Sequence, residues 1–359
     1  MKNKIILAVA LLLAASLFSL AQERVYTEAS DLTMVGKLID TPNPYHRVDT
    51  VAYDEFNKAE NRLVRQASGL AVAFKTNSKA ITVVTEYGAY GSSLNTGAYA
   101  SSGYDLYIKK DGKWLWAAAG SVASDKMTSE LRLISGMADG EKECLLYLPL
   151  FSELYSVRIG TDAGSKIEPL ANPFRHRVGI FGSSFTHGAS CSRSGMTYPA
   201  QFSRVTGIQL LSLGVSGNST LQQSFAKVLA DADVDALIFD GFSNPSASVI
   251  EKRLFLFIET IQAAHPGVPL IFQRTIRRET RNFVPERERF EAEKIAMSDS
   301  LMRIACKRYK DVYYIYPDAT APSHDTFVDG VHPSDHGYTL WAESIREPVL
   351  KILRKYGIK

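Results

Sequence analysis

Two regimes of hydrophobic patterning divide the chain. Up to about Asp162, apolar and polar positions alternate in short runs. Gly69-Leu70-Ala71-Val72-Ala73-Phe74-Lys75-Thr76 and Ala80-Ile81-Thr82-Val83-Val84-Thr85 read as two strands joined in a hairpin across Asn77-Ser78. Residues 104–108 and 114–117 flank Lys110-Asp111-Gly112-Lys113, a second strand–turn–strand unit. Residues 143–150 and 154–160 continue the pattern, and strands this short, with turn signals at this spacing, predict a β-sandwich. Thr161-Asp162-Ala163-Gly164-Ser165-Lys166, running on to Pro169 and Pro173, reads as a linker, and beyond it the period changes. Residues 177–181, 209–213, 235–240, 269–273 and 312–316 are mostly apolar runs of strand length. Helix-length stretches near 198–206, 220–231, 247–264 and 286–309 lie between them, and 338–356 closes the chain. This alternation predicts an α/β domain at 171–359, a doubly wound parallel sheet flanked by helices, behind a β-sandwich domain at 22–170.

The first residues carry a different message. Lys2 and Lys4 precede an apolar stretch from Ile5 to Leu20 that ends in Ser19-Leu20-Ala21. Basic, apolar and small-residue parts in that order make a secretory signal peptide at 1–21, with a membrane anchor as the competing reading. No cysteine follows the cleavage point, which argues against a lipoprotein. The expectation is export to a bacterial periplasm or beyond, with no stable membrane insertion after cleavage.

Composition adds exclusions. Hydrophobic residues make up 45% of the 359 and charged residues 22%, enough to build two ordinary cores. A net charge of +3, from 41 basic and 38 acidic residues, is too balanced to favour nucleic acid or an anionic membrane surface. Cys144, Cys191 and Cys306 are too few and too scattered for a disulfide framework or a metal site; free thiols or a single bridge both remain open. No His/Cys/Asp/Glu cluster has metal-ligand spacing, so chemistry without metal or cofactor is expected.

Candidate chemistry gathers where the second domain's strands end. Gly182-Ser183-Ser184-Phe185-Thr186 follows the first strand and Gly214-Val215-Ser216-Gly217-Asn218 the second. Asp240-Gly241-Phe242-Ser243-Asn244-Pro245 follows the third, and Asp329-Gly330-Val331-His332-Pro333 precedes the last helix. Loops at the carboxyl ends of parallel strands converge on one crevice. A neutral hydroxyl is a weak nucleophile, so Ser184 needs a base; His332 can serve, oriented by Asp329. Pro333 biases His332 away from helical backbone, keeping the pair in a loop. An oxyanion needs donors aimed at it, and the Ser184 N–H, the Gly217 N–H and the Asn244 amide are the candidates. Taken singly, Ser184 reads as a helix cap and the others as turn residues. Their joint occurrence, in order, each at a loop, selects the catalytic reading.

These blocks resemble the SGNH (GDSL) hydrolase superfamily, which draws Ser, Gly, Asn and His from four blocks. The resemblance implies a flavodoxin-like hydrolase domain, assigns those roles to Ser184, Gly217, Asn244 and His332, and makes Asp329 the third triad member. Gly188-Ala189-Ser190-Cys191-Ser192-Arg193-Ser194-Gly195-Met196 is similar to the segment after the nucleophile in one bacterial esterase branch. Gly103-Tyr104-Asp105-Leu106-Tyr107 is similar to that branch's Gly-x-Asp-Leu-Tyr motif, which implies a jelly-roll-like β domain. The usual Gly-Asp-Ser is here Gly182-Ser183-Ser184, so two serines compete; alignment with Thr186 and Gly188 favours Ser184. The Gly-x-Ser-x-Gly elbow of the other serine-hydrolase fold is disfavoured, because Thr186 occupies its last glycine position.

Other polar residues carry weaker expectations. His187 is assigned a local structural contact and His336 the surface or a packing role. Arg193 either braces the first loop or lines the cleft, and Arg274, after the fourth strand, is a candidate substrate contact. Arg277-Arg278 is assigned a solvated face. Trp114 and Trp116 either pack the sandwich core or form a carbohydrate platform. The expected activity is an ester hydrolase acting on acylated glycans or small molecules, most specifically removing O-acetyl groups from carbohydrates. Lipid or small-ester hydrolysis and non-catalytic glycan binding are the alternatives; the absence of a long apolar lid segment in the second domain weighs against a lipase.

Overall fold

The computed structural model describes residues 24–91, 93–122 and 126–359; the signal peptide read at 1–21 lies outside them. The β domain contains strands β1 (Arg24–Glu28), β2 (Thr33–Val35), β3 (Ala71–Thr76), β4 (Ile81–Ala89) and β5 (Tyr104–Lys110). They are followed by β6 (Lys113–Gly120), β7 (Thr128–Ile134), β8 (Lys142–Tyr147), β9 (Glu153–Asp162) and β10 (Ile167–Pro169), with short helices α1 (Lys58–Val64) and α2 (Ala98–Ser101) between strands. One sheet runs β1-β9-β4-β7 and the other β10-β3-β8-β5-β6, with β2 also on β3. Every pairing is antiparallel.

The expected hairpin at Asn77-Ser78 is not one. β3 pairs with β8 and β4 pairs with β9, so the chain arches from one sheet to the other. No Asn-Gly or Asp-Gly is present there to close a tight turn. Instead the Ser78 hydroxyl donates to the Asp162 carboxylate, tying the arch to the end of β9. At Asp111-Gly112 the expected turn does form, with both residues at positive φ (51° and 74°), as a two-residue hairpin requires. The stretch read as a linker is shorter than expected: β9 extends through Asp162, and β10 adds to β3 as an edge strand. Pro169 is tolerated there because an edge position need not donate.

The six-stranded sheet is buried on both faces. Val72, Phe74, Cys144, Leu146, Tyr104 and Leu106 point into the sandwich, while Ala71, Ala73, Leu145, Tyr147 and Tyr107 point out against Phe174 and Ala200 of the next domain. Period-two alternation therefore carries Asp105 and Tyr107 of β5 to the domain junction.

The second domain alternates β11 (Arg175–Gly182), β12 (Ile208–Gly214), β13 (Ala236–Asp240), β14 (Leu270–Gln273) and β15 (Val312–Ile315) with helices. These are α3 (Ser184–His187), α4 (Tyr198–Thr206), α5 (Gln223–Ala230), α6 (Ala247–Ala264), α7 (Pro285–Arg308) and α8 (Asp335–Arg354). Strand order is β12-β11-β13-β14-β15, all parallel. Order reverses at β11, so the crevice beyond the carboxyl ends of β11 and β13 is the switch point where such sheets bind ligands. Phe181, Leu213, Phe239 and Phe272 pack one face against α5, α6 and α7, and Val178, Ile180, Leu210 and Ile238 pack the other against α4 and α8. Cys144 and Cys191 are buried and Cys306 exposed, all free thiols. Among the described residues no helix is long and apolar enough to cross a membrane.

Candidate active site

β11 ends at Gly182, and the chain turns at once into α3. A side chain at Gly182 would overlap Thr186 Oγ1 and the Asp240 side chain, so only glycine lets strand, helix and neighbouring strand approach this closely. Ser183 caps α3: its hydroxyl accepts from the Phe185 N–H at 3.2 Å and donates to Asp240 Oδ2 at 2.6 Å. Ser184 is the next residue, the first of the helix. Its Oγ lies 3.0 Å from His332 Nε2, and His332 Nδ1 lies 2.8 Å from Asp329 Oδ2. The two adjacent serines thus have different partners, and only Ser184 meets the imidazole.

His332 and Asp329 come from one tight loop. Asp329 Oδ1 accepts the backbone N–H groups of Val331 at 2.9 Å and His332 at 2.7 Å, the chain turning at Gly330 with φ 77°. Bridging of Phe327 to Pro333 closes the loop, and Ser334 caps α8 directly after it. Burial alone would raise the Asp329 pKa. The bonds from the His332 N–H, the Asn95 amide, the His332 ring and the Val331 N–H overcome it and hold the carboxyl well below the ordinary range.

The candidate oxyanion donors lie just beyond the carboxyl ends of β11, β12 and β13. Gly217, at φ 72°, has open space where a side chain would project. Asn244 Oδ1 accepts from the Ser219 N–H at 3.2 Å, which ties the β13 loop to the β12 loop and leaves the amide nitrogen to donate. Among the described residues neither the Ser184 nor the Gly217 N–H has a protein acceptor. The arrangement offers a nucleophile, a base held in one tautomer and donors for a developing oxyanion, which is the equipment of acyl transfer.

Arg193 takes the bracing role of the two expected for it, and four other side chains fall elsewhere than expected. Arg193, a candidate substrate contact, is taken by the β domain: Nη1 donates to Asp105 Oδ2 at 2.8 Å and to Tyr107 Oη at 2.6 Å. A cation this close to a fully buried carboxylate is committed to it. Arg274 pairs with Asp299 of α7 at 3.2 Å and lies over Tyr316 beyond β14 and β15, away from the residues around Ser184. Of Arg277-Arg278, expected to be solvated, only Arg277 is. Arg278 is 13% exposed, pairs with Glu291 at 2.6 Å and donates to the Ser243 carbonyl beneath the Asn244 loop. Trp114 and Trp116 do not pack the sandwich core; they lie on edge strand β6 at the domain junction, Trp116 being 55% exposed. His336 is exposed. His187 is buried, stacked on Phe151, and binds the Leu150 carbonyl at 2.7 Å, a contact between domains. Burial pushes its pKa well down and keeps the ring neutral.

Two residues at the site carried no sequence signal that singled them out. Asn95, from the β domain, donates to Asp329 Oδ2 at 2.8 Å. Asp240 is fully buried beneath Ser183 and accepts from the Ser183 N–H, the Ser183 hydroxyl and the Thr186 hydroxyl. Its position at a strand end, at the head of the block that holds Asn244, was the available hint. Among the described residues no group of His, Cys, Asp and Glu could hold a metal ion.

Comparison with known proteins agrees with this architecture. The GDSL-like lipase/acylhydrolase family model matches residues 175–351, and a model of the N-terminus of SGNH-hydrolase-type esterases matches residues 24–167. Comparison with curated proteins gives no match. A candidate GDSL-like lipase from Bacteroides ovatus ATCC 8483 is similar at 36% identity and a TM-score of 0.89, over 92% of this chain and 98% of its own. The salicylyl-acyltransferase SsfX3 from a tetracycline biosynthetic pathway is similar at 21% identity and a TM-score of 0.72, over 92% and 97%. A family two carbohydrate esterase from Cellvibrio japonicus is similar at 10% identity and a TM-score of 0.61, over 92% and 98%. The last two likenesses are of fold.

Proposed function

The chain belongs to the GDSL-like lipase/acylhydrolase family, and on that premise we propose that it is an exported serine ester hydrolase that removes O-acetyl groups from carbohydrates. The observation that carries the reading is the contact of Ser184 Oγ with His332 Nε2 at 3.0 Å, backed by Asp329 on the other ring nitrogen. Ser184 attacks the ester carbonyl while His332 takes its proton. The oxyanion is met by the Ser184 and Gly217 N–H groups and the Asn244 amide, and losing one such donor costs about 10²–10³ in turnover. His332 then protonates the departing alcohol, and a water it activates releases the acid from the acyl-enzyme. Asp329 keeps Nδ1 protonated and balances the imidazolium.

The acetylated-carbohydrate substrate is supported by three features: the secretory pattern at the N-terminus, a β domain ahead of the catalytic one, and a fold shared with a carbohydrate esterase. The secretory pattern also supports a bacterial periplasmic or extracellular location. The deciding experiment measures acetate, against longer acids, released from a panel of acetylated glycans and matched lipid esters. Acetate from glycans is expected; preferential release of long acids from lipids would replace this substrate with the lipase reading. Ser184→Ala and His332→Ala are each expected to lower turnover of p-nitrophenyl acetate by about 10⁴-fold or more. Full activity in Ser184→Ala with loss in Ser183→Ala would sink the nucleophile assignment.

A further inference from the structure

A short turn of the β domain reaches Asp329 and His332. Ser93 bridges Thr96, and Leu94 and Asn95 form the tip between them, Leu94 with its side chain wholly in solvent. Asn95 Nδ2 lies 2.8 Å from Asp329 Oδ2 and 3.3 Å from His332 Nδ1. The opposite flip of the amide would face two unprotonated oxygens at that distance, so the nitrogen is the atom toward Asp329. The carbonyl end is held by the hydroxyls of Ser93 at 2.6 Å and Thr96 at 3.2 Å.

The turn is clipped to the hydrolase domain on its other side as well. Thr96 Oγ1 accepts the Ser190 N–H at 2.9 Å, and Ser190 belongs to the loop that follows the nucleophile helix. Its left-handed backbone, φ 69°, is a conformation non-glycine residues rarely adopt and turns that N–H toward the β domain. One turn of the β domain therefore touches the nucleophile loop through Thr96 and the acid–base loop through Asn95.

We infer that Asn95 is a positioning residue through which the β domain completes the catalytic apparatus, fixing Asp329 and through it the ring of His332. The inference rests on the hydrolase reading above. Asp329 Oδ2 has two donors, His332 Nδ1–H and the Asn95 amide. The amide locks the carboxylate's rotation and also draws off part of its negative charge, which moderates its hold on the imidazolium. Other charged groups in this region are Arg278, behind the Phe185 ring that packs on His332, and Asp240, beneath Ser183. Partners that orient a catalytic group through hydrogen bonds commonly carry about 10–100-fold in activity.

The test uses the full chain with Asn95→Ala and Asn95→Asp. Asn95→Ala is expected to lower kcat for p-nitrophenyl acetate about tenfold with KM nearly unchanged, since the residue acts on the base and not on substrate. The acid limb of its pH–rate profile moves to higher pH, because Asp329 no longer shares its charge. Asn95→Asp keeps the shape but sets a second carboxylate against Asp329, so both effects grow. Wild-type kcat and an unmoved acid limb in both variants, even with a lowered Tm, would make Asn95 merely structural and overturn the inference. Nuclear magnetic resonance titration of the His332 ring reads the same shift without turnover. An inactive wild-type protein would thus defeat the hydrolase reading, whereas a His332 titration unmoved in Asn95→Asp would defeat this one.

Discussion

Two buried carboxylates, one at the domain junction and one at the switch point of the parallel sheet, are satisfied by opposite means. Asp105, with no exposed side-chain surface, meets a cation: Arg193 at 2.8 Å, joined by the Gly195 N–H at 2.8 Å and the Trp116 indole N–H at 3.1 Å. Asp240 meets only neutral donors, the Ser183 N–H and hydroxyl and the hydroxyls of Thr186 and Ser243. Burial is the main influence on both and raises both pKa values. The junction must hold two separately cored units together, and a charged pair across it gives a strong, directional tie. At the switch point a cation would stand beside the His332 imidazole and, on the proposed mechanism, oppose the positive charge it takes up. Hydroxyls and N–H groups align Ser183 and α3 without that penalty.

The largest effect should come from removing the junction's cation. Arg193→Ala leaves Asp105 buried without its charge partner, a change that typically destabilises by about 3–5 kcal/mol. The pH dependence has a defined sign. A carboxyl whose folded pKa lies above its unfolded value contributes most below the unfolded pKa and loses that contribution as pH rises through the folded one. Without Arg193 the Asp105 pKa rises further. The stability lost in Arg193→Ala, measured by urea unfolding, should therefore be greatest near neutral pH and shrink as pH falls through the raised Asp105 pKa. A loss that grew in acid would show that the pair is not what ties the domains.

Next in size is the switch point. Asp240→Ala strips four buried donors of their acceptor and frees the start of α3, and a displacement of about 1 Å at a nucleophile can cost about 10²-fold in turnover. Asp240→Asn tests the comparison more sharply. No cation depends on this carboxylate, and Asn can turn its oxygen toward Ser183 and Thr186 and its nitrogen toward the Ser243 oxygen. It should keep kcat within about tenfold of wild type, as a change of one or two neutral hydrogen bonds would. Loss in Asp240→Asn as deep as in Asp240→Ala would mean that the charge itself is needed, and the contrast with Asp105 would fail.

The same contrast explains what could be read from the chain alone. Ser184, Gly217 and Asn244 lie in short blocks at strand ends, and Asp329 and His332 in one before the last helix, where local pattern and topology point the same way. Asn95 meets Asp329 across 234 residues, from a turn whose polar letters are ordinary, and no periodicity connects the two. Arg277 and Arg278 look alike in the chain, yet the backbone after β14 sends one to solvent and the other under the Asn244 loop. The arch at Asn77-Ser78 was misread because alternation marks both strands correctly but does not say which sheet each joins.

The smallest effect is expected at Trp116, which separates a junction role from a sugar platform. Its indole N–H is bonded to Asp105, and its face lies 5.3 Å from the Arg193 guanidinium. Trp116→Ala should cost about 0.5–1.5 kcal/mol of stability through the lost cation–π contact and hydrogen bond. Turnover of p-nitrophenyl acetate should be unchanged. A sugar ring stacking on the face of Trp116 that Arg193 covers would have to displace it and so weaken the pair that keeps Asp105 satisfied. KM for a polymeric acetylated glycan should accordingly stay within about twofold of wild type. A rise of about tenfold confined to the polymer would reassign Trp116 to substrate. Arg193 would then have to find its cation–π partner in Tyr107 alone, whose ring already lies 5.5 Å from it.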